Sequence, residues 1–230
     1  MHLHPQRGLM KLLFFITGFL ICLPVIAAPT SQPAVAKPEM VTRQQWGSEP
    51  QEMPESKRHT PKYITIHHAG VDWKAGRDPK DFVKTMQKWG QREKKWADLP
   101  YHFLIAPDGT IFEARSLEYE PDSNTKFDLQ GHINVELMGN FQNQRMTEGQ
   151  LKSMVNMIAW LTQELKIPTT EIAGHRDRAK GQTTCPGKDC YRYIDDGSIR
   201  KWVESLCAGE AADVKLKDAL PDGPEKFVGE

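Results

Sequence analysis

The sequence predicts an α/β domain, a mixed central β-sheet flanked by about three helices. Three observations lead there. Short runs with period-two alternation, Tyr63-Ile-Thr-Ile-His67 and Ile133 to Met138 among them, read as strands. A long stripe of apolar residues at helical spacing (Leu151, Met154, Val155, Ile158, Leu161, Leu165) follows a capping signal. Strand runs and helical stripes also interleave along the chain instead of separating into blocks.

In chain order, residues 1–27 read as a signal peptide. Arg7 and Lys11 precede an apolar run from Leu12 to Leu23, and Val25 and Ala27 suit a cut after Ala27. The run is short for a spanning helix and its flank is not basic, so cleavage is expected, with no membrane anchor left. Ile21 is too large to precede a lipidated Cys22. The product is expected to be periplasmic or secreted. Residues 28–40, rich in Pro, Ala and Ser, read as a flexible leader. The domain proper is expected over 41–207.

Within it, Tyr63–His67 is the first strand, with Tyr63, Thr65 and His67 on one face and Ile64, Ile66 and His68 on the other. Asp78-Pro79 is an N-cap with proline at the first helical position, and Phe82, Val83, Met86 and Trp89 form the stripe of that helix. Ala106-Pro-Asp-Gly109 is a turn between strands at Tyr101–Ile105 and Thr110–Glu113. Leu117 to Gly131 is polar and irregular, a candidate binding loop. In the strand Ile133–Met138, Asn134, Glu136 and Met138 face one side. Thr147 with Gln150 is a capping box for the long helix, and Trp160 falls opposite its core stripe, as an edge contact or an exposed aromatic. Thr170–Ala173 is a short strand ending at Gly174-His175. Ile199, Trp202, Val203 and Leu206 mark the last helix, and 208–230 is expected to be a disordered tail.

Composition narrows the function. Of 30 basic residues Arg7 and Lys11 fall in the signal peptide, leaving 28 against 30 acidic ones, a net of −2. No basic excess argues for a nucleic-acid partner. Cys185, Cys190 and Cys207 remain after cleavage, an odd number for an exported protein, so one thiol is free for another use. His67, His175 and Cys185 all stand at strand ends or in loops. Two imidazoles and a thiolate would make the three protein ligands of a catalytic zinc site, though such residues also scatter by chance.

Several motifs then occur in one order: Thr42-Arg-Gln-Gln-Trp-Gly47, YITIHHAG from Tyr63, Trp96-Ala-Asp-Leu-Pro-Tyr-His-Phe103, Pro107 to Glu113, Asn134 to Phe141, Gly174-His-Arg-Asp177 and Thr183-Thr-Cys-Pro-Gly187. Together, from about Val41 to Leu206, they resemble the zinc amidase family that includes phage lysozyme-type amidases and the peptidoglycan recognition proteins. The resemblance implies a peptidoglycan recognition protein-like fold. It implies N-acetylmuramoyl-L-alanine amidase activity on peptidoglycan or muropeptides, in a monomer. It implies Zn2+ held by His67, His175 and Cys185, with Tyr101 and Glu136 in catalysis and Thr183 at a position where relatives carry Lys or Thr. Tyr101 would stabilise the oxyanion, and Glu136 would move the proton from water to the leaving amine. Lys95-Trp96 keeps the tryptophan of the pattern associated with diaminopimelate peptides. With Cys185 assigned to zinc, Cys190 and Cys207 bracket the last helix and are expected to form a disulfide. Two other readings remain open: a peptidoglycan-binding module without catalysis, and a structural zinc domain closed by His68 or Cys190.

Overall fold

A computed structural model describes Met1, His2 and residues 34–230, so nearly all of the expected signal peptide lies outside the described residues. At the centre is a five-stranded sheet in the order β3-β2-β4-β1-β5, with β1 Tyr63–His68, β2 Phe103–Ile105, β3 Ile111–Glu113, β4 His132–Leu137 and β5 Ile172–Gly174. Strand β1 runs parallel to β4 and β5, and β2 parallel to β4, while β3 returns antiparallel to β2. This is the expected mixed sheet. The carboxyl ends of β1, β4 and β5 lie side by side, the edge where sheets of this kind present functional side chains.

The β1–β4 register pairs Tyr63 with His132, Thr65 with Asn134 and His67 with Glu136. Alternation then gives the sheet an apolar face of Ile64, Ile66, Ile133, Val135 and Leu137, all fully buried. Helix α3, Glu148–Glu164, packs against β2 and β4 and against the last helix, α6, Ser198–Cys207. Its predicted capping box is present: Thr147 Oγ1 accepts from Gln150 N–H at 3.0 Å, and Gln150 Oε1 accepts from Thr147 N–H at 3.3 Å. Helix α2, Pro79–Trp89, starts as predicted, with Asp78 Oδ1 accepting from Lys80 N–H at 2.7 Å. Short helices α1 (Arg43–Trp46), α4 (His175–Arg178) and α5 (Lys188–Asp195) were not expected. The first two are a single turn, too short for a periodic stripe to show.

Five expectations change. Trp89 lies on the stripe of α2 but is exposed, and Met86 is only half-buried; the two face a groove rather than the core. Trp160 is buried, with its ring edge-to-face on Phe103 at 6.2 Å and the Lys37 ammonium 5.3 Å from its centre. That lysine belongs to the expected flexible leader, whose residues 34–40 are bound to the domain: Val35 N–H donates to Gln163 Oε1 at 2.7 Å, and Val41 N–H follows with a bond to Ile111 O at 2.8 Å. Residues 208–230 are not a disordered tail either. Val214 and Val228 are buried, and the Arg145 backbone holds the segment by two bonds, its N–H donating to Lys226 O at 2.7 Å and its carbonyl accepting from Val228 N–H at 3.0 Å. Finally, Cys190 and Cys207 carry free thiols and the expected disulfide is not formed. Cys190 turns into the core from α5, while the Cys207 thiol donates to Ala159 O on α3 at 3.7 Å.

Candidate metal centre

The polar face of the sheet holds the site. His67 is the fifth residue of β1, and its register partner Glu136 projects from the same face of β4. His175 follows β5 directly, as the first residue of α4. Cys185 lies in the turn between α4 and α5, held by Arg176 N–H donating to its carbonyl at 2.9 Å and by its own N–H donating to Thr183 Oγ1 at 3.0 Å. Gly187 lets this turn seat against the segment after β4. Its φ is +84°, and a Cβ there would stand 2.3 Å from the carbonyl carbon of Phe141.

These elements bring His67, His175 and Cys185 together, all buried, with one potential ligand atom from each within 4.8 Å of the others. His67 Nδ1 is 3.7 Å from Cys185 Sγ, and the two imidazole rings are 4.4 Å apart. His175 Nε2 is engaged by hydroxyls, 2.6 Å from Thr125 Oγ1 and 3.4 Å from Ser123 Oγ. His68 occupies the opposite face, as alternation predicts. Its Nδ1 accepts from Phe141 N–H at 3.2 Å, and its backbone N–H donates to Cys185 Sγ at 3.4 Å.

Burial sets the protonation states. It lowers His175 to about 4, and it lowers His67 well below the usual histidine value, helped by the neighbouring His175. Both rings are therefore neutral at pH 7 and able to bind a metal. Burial pushes the Cys185 thiol up to about 12, against the pull of the His68 N–H. A metal taken up here must displace that proton. Two neutral imidazoles and a thiolate converging from three segments suit zinc, with a position left for water or substrate.

Glu136 is fully buried, both its oxygens lack a hydrogen-bond partner among the described residues, and burial raises it to about 8. An unpaired carboxyl at this depth is an expensive group to keep, and such groups concentrate where chemistry uses them. The Tyr101 ring meets His67 edge-on at 5.2 Å, and burial holds its hydroxyl well above 10, hence protonated. Thr183 lines the groove and also holds the Cys185 backbone. His102 and His132 are structural: His102 accepts from Asn134 N–H at 2.9 Å and His132 Nδ1 bonds Thr65 Oγ1 at 2.8 Å. The three candidate ligands line an open groove of about 490 Å³ together with Trp89, Trp96, Phe82, Ser123 and Thr125. The sequence reading missed Thr125. It lay inside the loop marked as a candidate binding loop, but no pattern distinguishes one hydroxyl there from its neighbours.

Among the described residues no helix is long and apolar enough to cross a membrane. A family model described as N-acetylmuramoyl-L-alanine amidase matches residues 57–188. Peptidoglycan recognition protein 1 of Mus musculus is 26% identical over 157 residues, which is 67% of this chain and 85% of that protein. The Drosophila peptidoglycan recognition protein SD structure shares the fold with a TM-score of 0.60 at 22% identity, covering 69% of this chain and 94% of that one. The endolysin N-acetylmuramoyl-L-alanine amidase LysCS from Clostridium intestinale URNW shares it with a TM-score of 0.56 at 22% identity, covering 72% and 97%.

Proposed function

The chain belongs to the N-acetylmuramoyl-L-alanine amidase family, and from that premise we propose that it is a zinc-dependent hydrolase cleaving the amide bond between N-acetylmuramic acid and L-alanine of peptidoglycan. The observation that carries this reading is the convergence of His67, His175 and Cys185 in one groove, beside an unpaired buried Glu136. A bare recognition site has no use for a buried carboxyl with nothing to bond.

His67, His175 and Cys185 would hold the metal. Zinc bound there supplies Lewis acidity toward the amide carbonyl and the attacking water. The Tyr101 hydroxyl, kept protonated by burial, donates to the carbonyl oxygen as charge develops on it. Glu136 accepts the proton that the attacking water gives up and delivers it to the alanine nitrogen as the C–N bond breaks. Its tendency to hold a proton favours the delivery, and its carboxylate, which must accept the proton first, would be favoured by a dication held at His67, His175 and Cys185. Thr183 has a positioning role in this scheme, through its bond to the Cys185 backbone.

The exposed Trp89 and half-buried Trp96 give the groove an aromatic wall against which a muropeptide can lie. We further propose that the protein acts as a monomer after export to the periplasm or medium. The experiment is incubation of zinc-loaded protein with purified muropeptides, with and without a chelator. Free stem peptide released only without chelator is the expected result. Binding with no release would leave the recognition reading, which the names of several relatives favour.

A further inference from the structure

Besides the Glu136 oxygens, two buried polar atoms near the centre have no hydrogen-bond partner by distance and angle among the described residues: Nε2 of His67 and Oδ1 of Asn134. Both belong to the polar face of the sheet. Asn134 is the register partner of Thr65, one alternation before His67 on β1, so the two side chains are diagonal neighbours across the β1–β4 pair. Asn134 is fully buried, and its backbone is fixed on the other side, with its N–H donating to His102 Nδ1 and its carbonyl accepting from His102 N–H, both at 2.9 Å. Its side-chain Nδ2 donates to Pro100 O at 3.4 Å. That contact orients the amide and leaves Oδ1 as its free end. His67, meanwhile, has Nδ1 turned to Cys185 Sγ at 3.7 Å, which leaves Nε2 as its free end.

We propose that Asn134 is the positioning residue for His67: its Oδ1 accepts the imidazole Nε2–H and so holds the ring in the tautomer whose bare Nδ1 faces Cys185 and His175. Two further observations agree. The Asn134 side chain acts on His67 as a hydrogen-bond partner that opposes the effect of burial, and Glu136, the register partner of His67, has no such part among the influences on that ring. The second imidazole is likewise bonded through Nε2, with Thr125 Oγ1 at 2.6 Å. A neutral imidazole has one bare nitrogen, and the group bonded to the other nitrogen decides which it is. An amide in the strand sets this more rigidly than a loop hydroxyl, because the sheet fixes its backbone on both sides. The inference rests on the reading of His67 as a zinc ligand, but the tautomer can be measured without metal.

The test uses metal-free protein labelled with 15N-histidine, read by long-range proton–nitrogen correlation at pH 7.5, and zinc affinity by competition with a chromophoric chelator. Wild-type His67 is expected as the Nε2–H tautomer. Asn134→Leu, similar in size but without an acceptor, should lose that preference and bind zinc roughly 10–100-fold more weakly. Asn134→Asp keeps an acceptor and should retain the tautomer and the affinity. A wild-type His67 protonated on Nδ1 overturns the proposal, and so does Asn134→Leu with wild-type tautomer and affinity. If Asn134→Leu does not fold, the wild-type tautomer decides alone. Wild-type protein that binds no zinc would instead sink the metal reading.

Discussion

At the scale of single residues, Glu136 is the group whose environment makes the sharpest demands. It sits fully buried with no partner, raised to about 8 from an ordinary value near 4.5. In the metal-free protein the folded state therefore keeps a proton that the unfolded chain releases, so stability falls as pH rises from about 4.5 to about 8. Glu136→Gln removes that titration and should raise the melting temperature of the metal-free protein more at pH 8.5 than at pH 5. Equal gains at both pH values would show that the carboxyl is solvated or paired after all. In the zinc-loaded protein the proposed amidase activity should lose roughly 10²–10⁴-fold in kcat on the same substitution with zinc still bound, the range for losing a general acid–base. Retained turnover would remove Glu136 from the mechanism. His67 and His68 make the complementary case. They are neighbours in sequence, yet His67 joins the ligand cluster and His68 bonds Phe141 N–H on the other face. His67→Ala should abolish zinc binding measured by competition, whereas His68→Ala should weaken it far less; equal losses would mean the strand does not separate them.

At the scale of elements, alternation in the sequence separates His67 from Ile64 and Ile66 and permits Glu136 a place on the same face, and the β1–β4 register puts the two opposite each other. Period-two and capping signals are strong because each rests on several residues obeying one geometry. The signals that failed rest on single side chains. Trp89 obeys the stripe of α2, yet the groove rather than the core takes it, and helical period alone does not distinguish two apolar destinations. The orienting contacts of Thr125 and Asn134 were invisible for a related reason, since a tautomer-setting bond leaves no periodicity. The turn carrying Cys185 was legible only as a motif, and the structure supplies its physical cause in Gly187. A Cβ at Gly187 would meet the Phe141 carbonyl carbon at 2.3 Å and Gln142 N at 2.5 Å, with φ at +84°. Gly187→Ala should therefore move the turn away from the segment after β4 and take the Cys185 sulfur out of line. Zinc affinity should fall at least 10-fold, with a melting temperature lowered by several degrees. Normal zinc affinity in this variant would mean that the turn is positioned by its bonds to Arg176 and Thr183 alone.

At the scale of the molecule, residues 34–40 and 208–230 are both part of the domain, which composition did not reveal. The apolar side chains of residues 208–230 follow no helical or strand period, and much of their attachment runs between domain side chains and the backbone of the segment, a kind of contact that periodic patterns cannot record. Lys217 N–H donates to the Tyr193 hydroxyl at 2.8 Å, and Lys188 Nζ reaches Asp222 Oδ2 at 2.9 Å, which ties the segment to α5. Farther on, Val228 is buried against Gly139, where a Cβ would come within 2.6 Å of the valine Cγ1, and the Arg145 guanidinium lies 4.5 Å from the Phe227 ring centre. Gly229 N–H donates to Trp73 O at 3.4 Å, and the Trp73 ring packs edge-on against Phe82 at 5.2 Å, in the wall of the groove. The last residues thus brace, through Trp73, the Phe82 side chain that lines the groove of the candidate metal centre. Deleting residues 224–230 exposes the site of one buried valine and releases the Arg145 backbone bonds, a loss of about 2–4 kcal/mol, or a melting temperature lower by roughly 5–15 °C in a domain of this size. Because His67, His175 and Cys185 are held by the sheet and by Gly187 rather than by this segment, zinc affinity should stay within about threefold, a change under 1 kcal/mol. KM for muropeptides should rise while kcat changes little, as expected when a binding wall loosens and the reacting groups do not move. An unchanged melting temperature would mean that the segment rests on the surface without bracing it, and a collapse of kcat at normal KM would mean that it supports the centre instead of the wall.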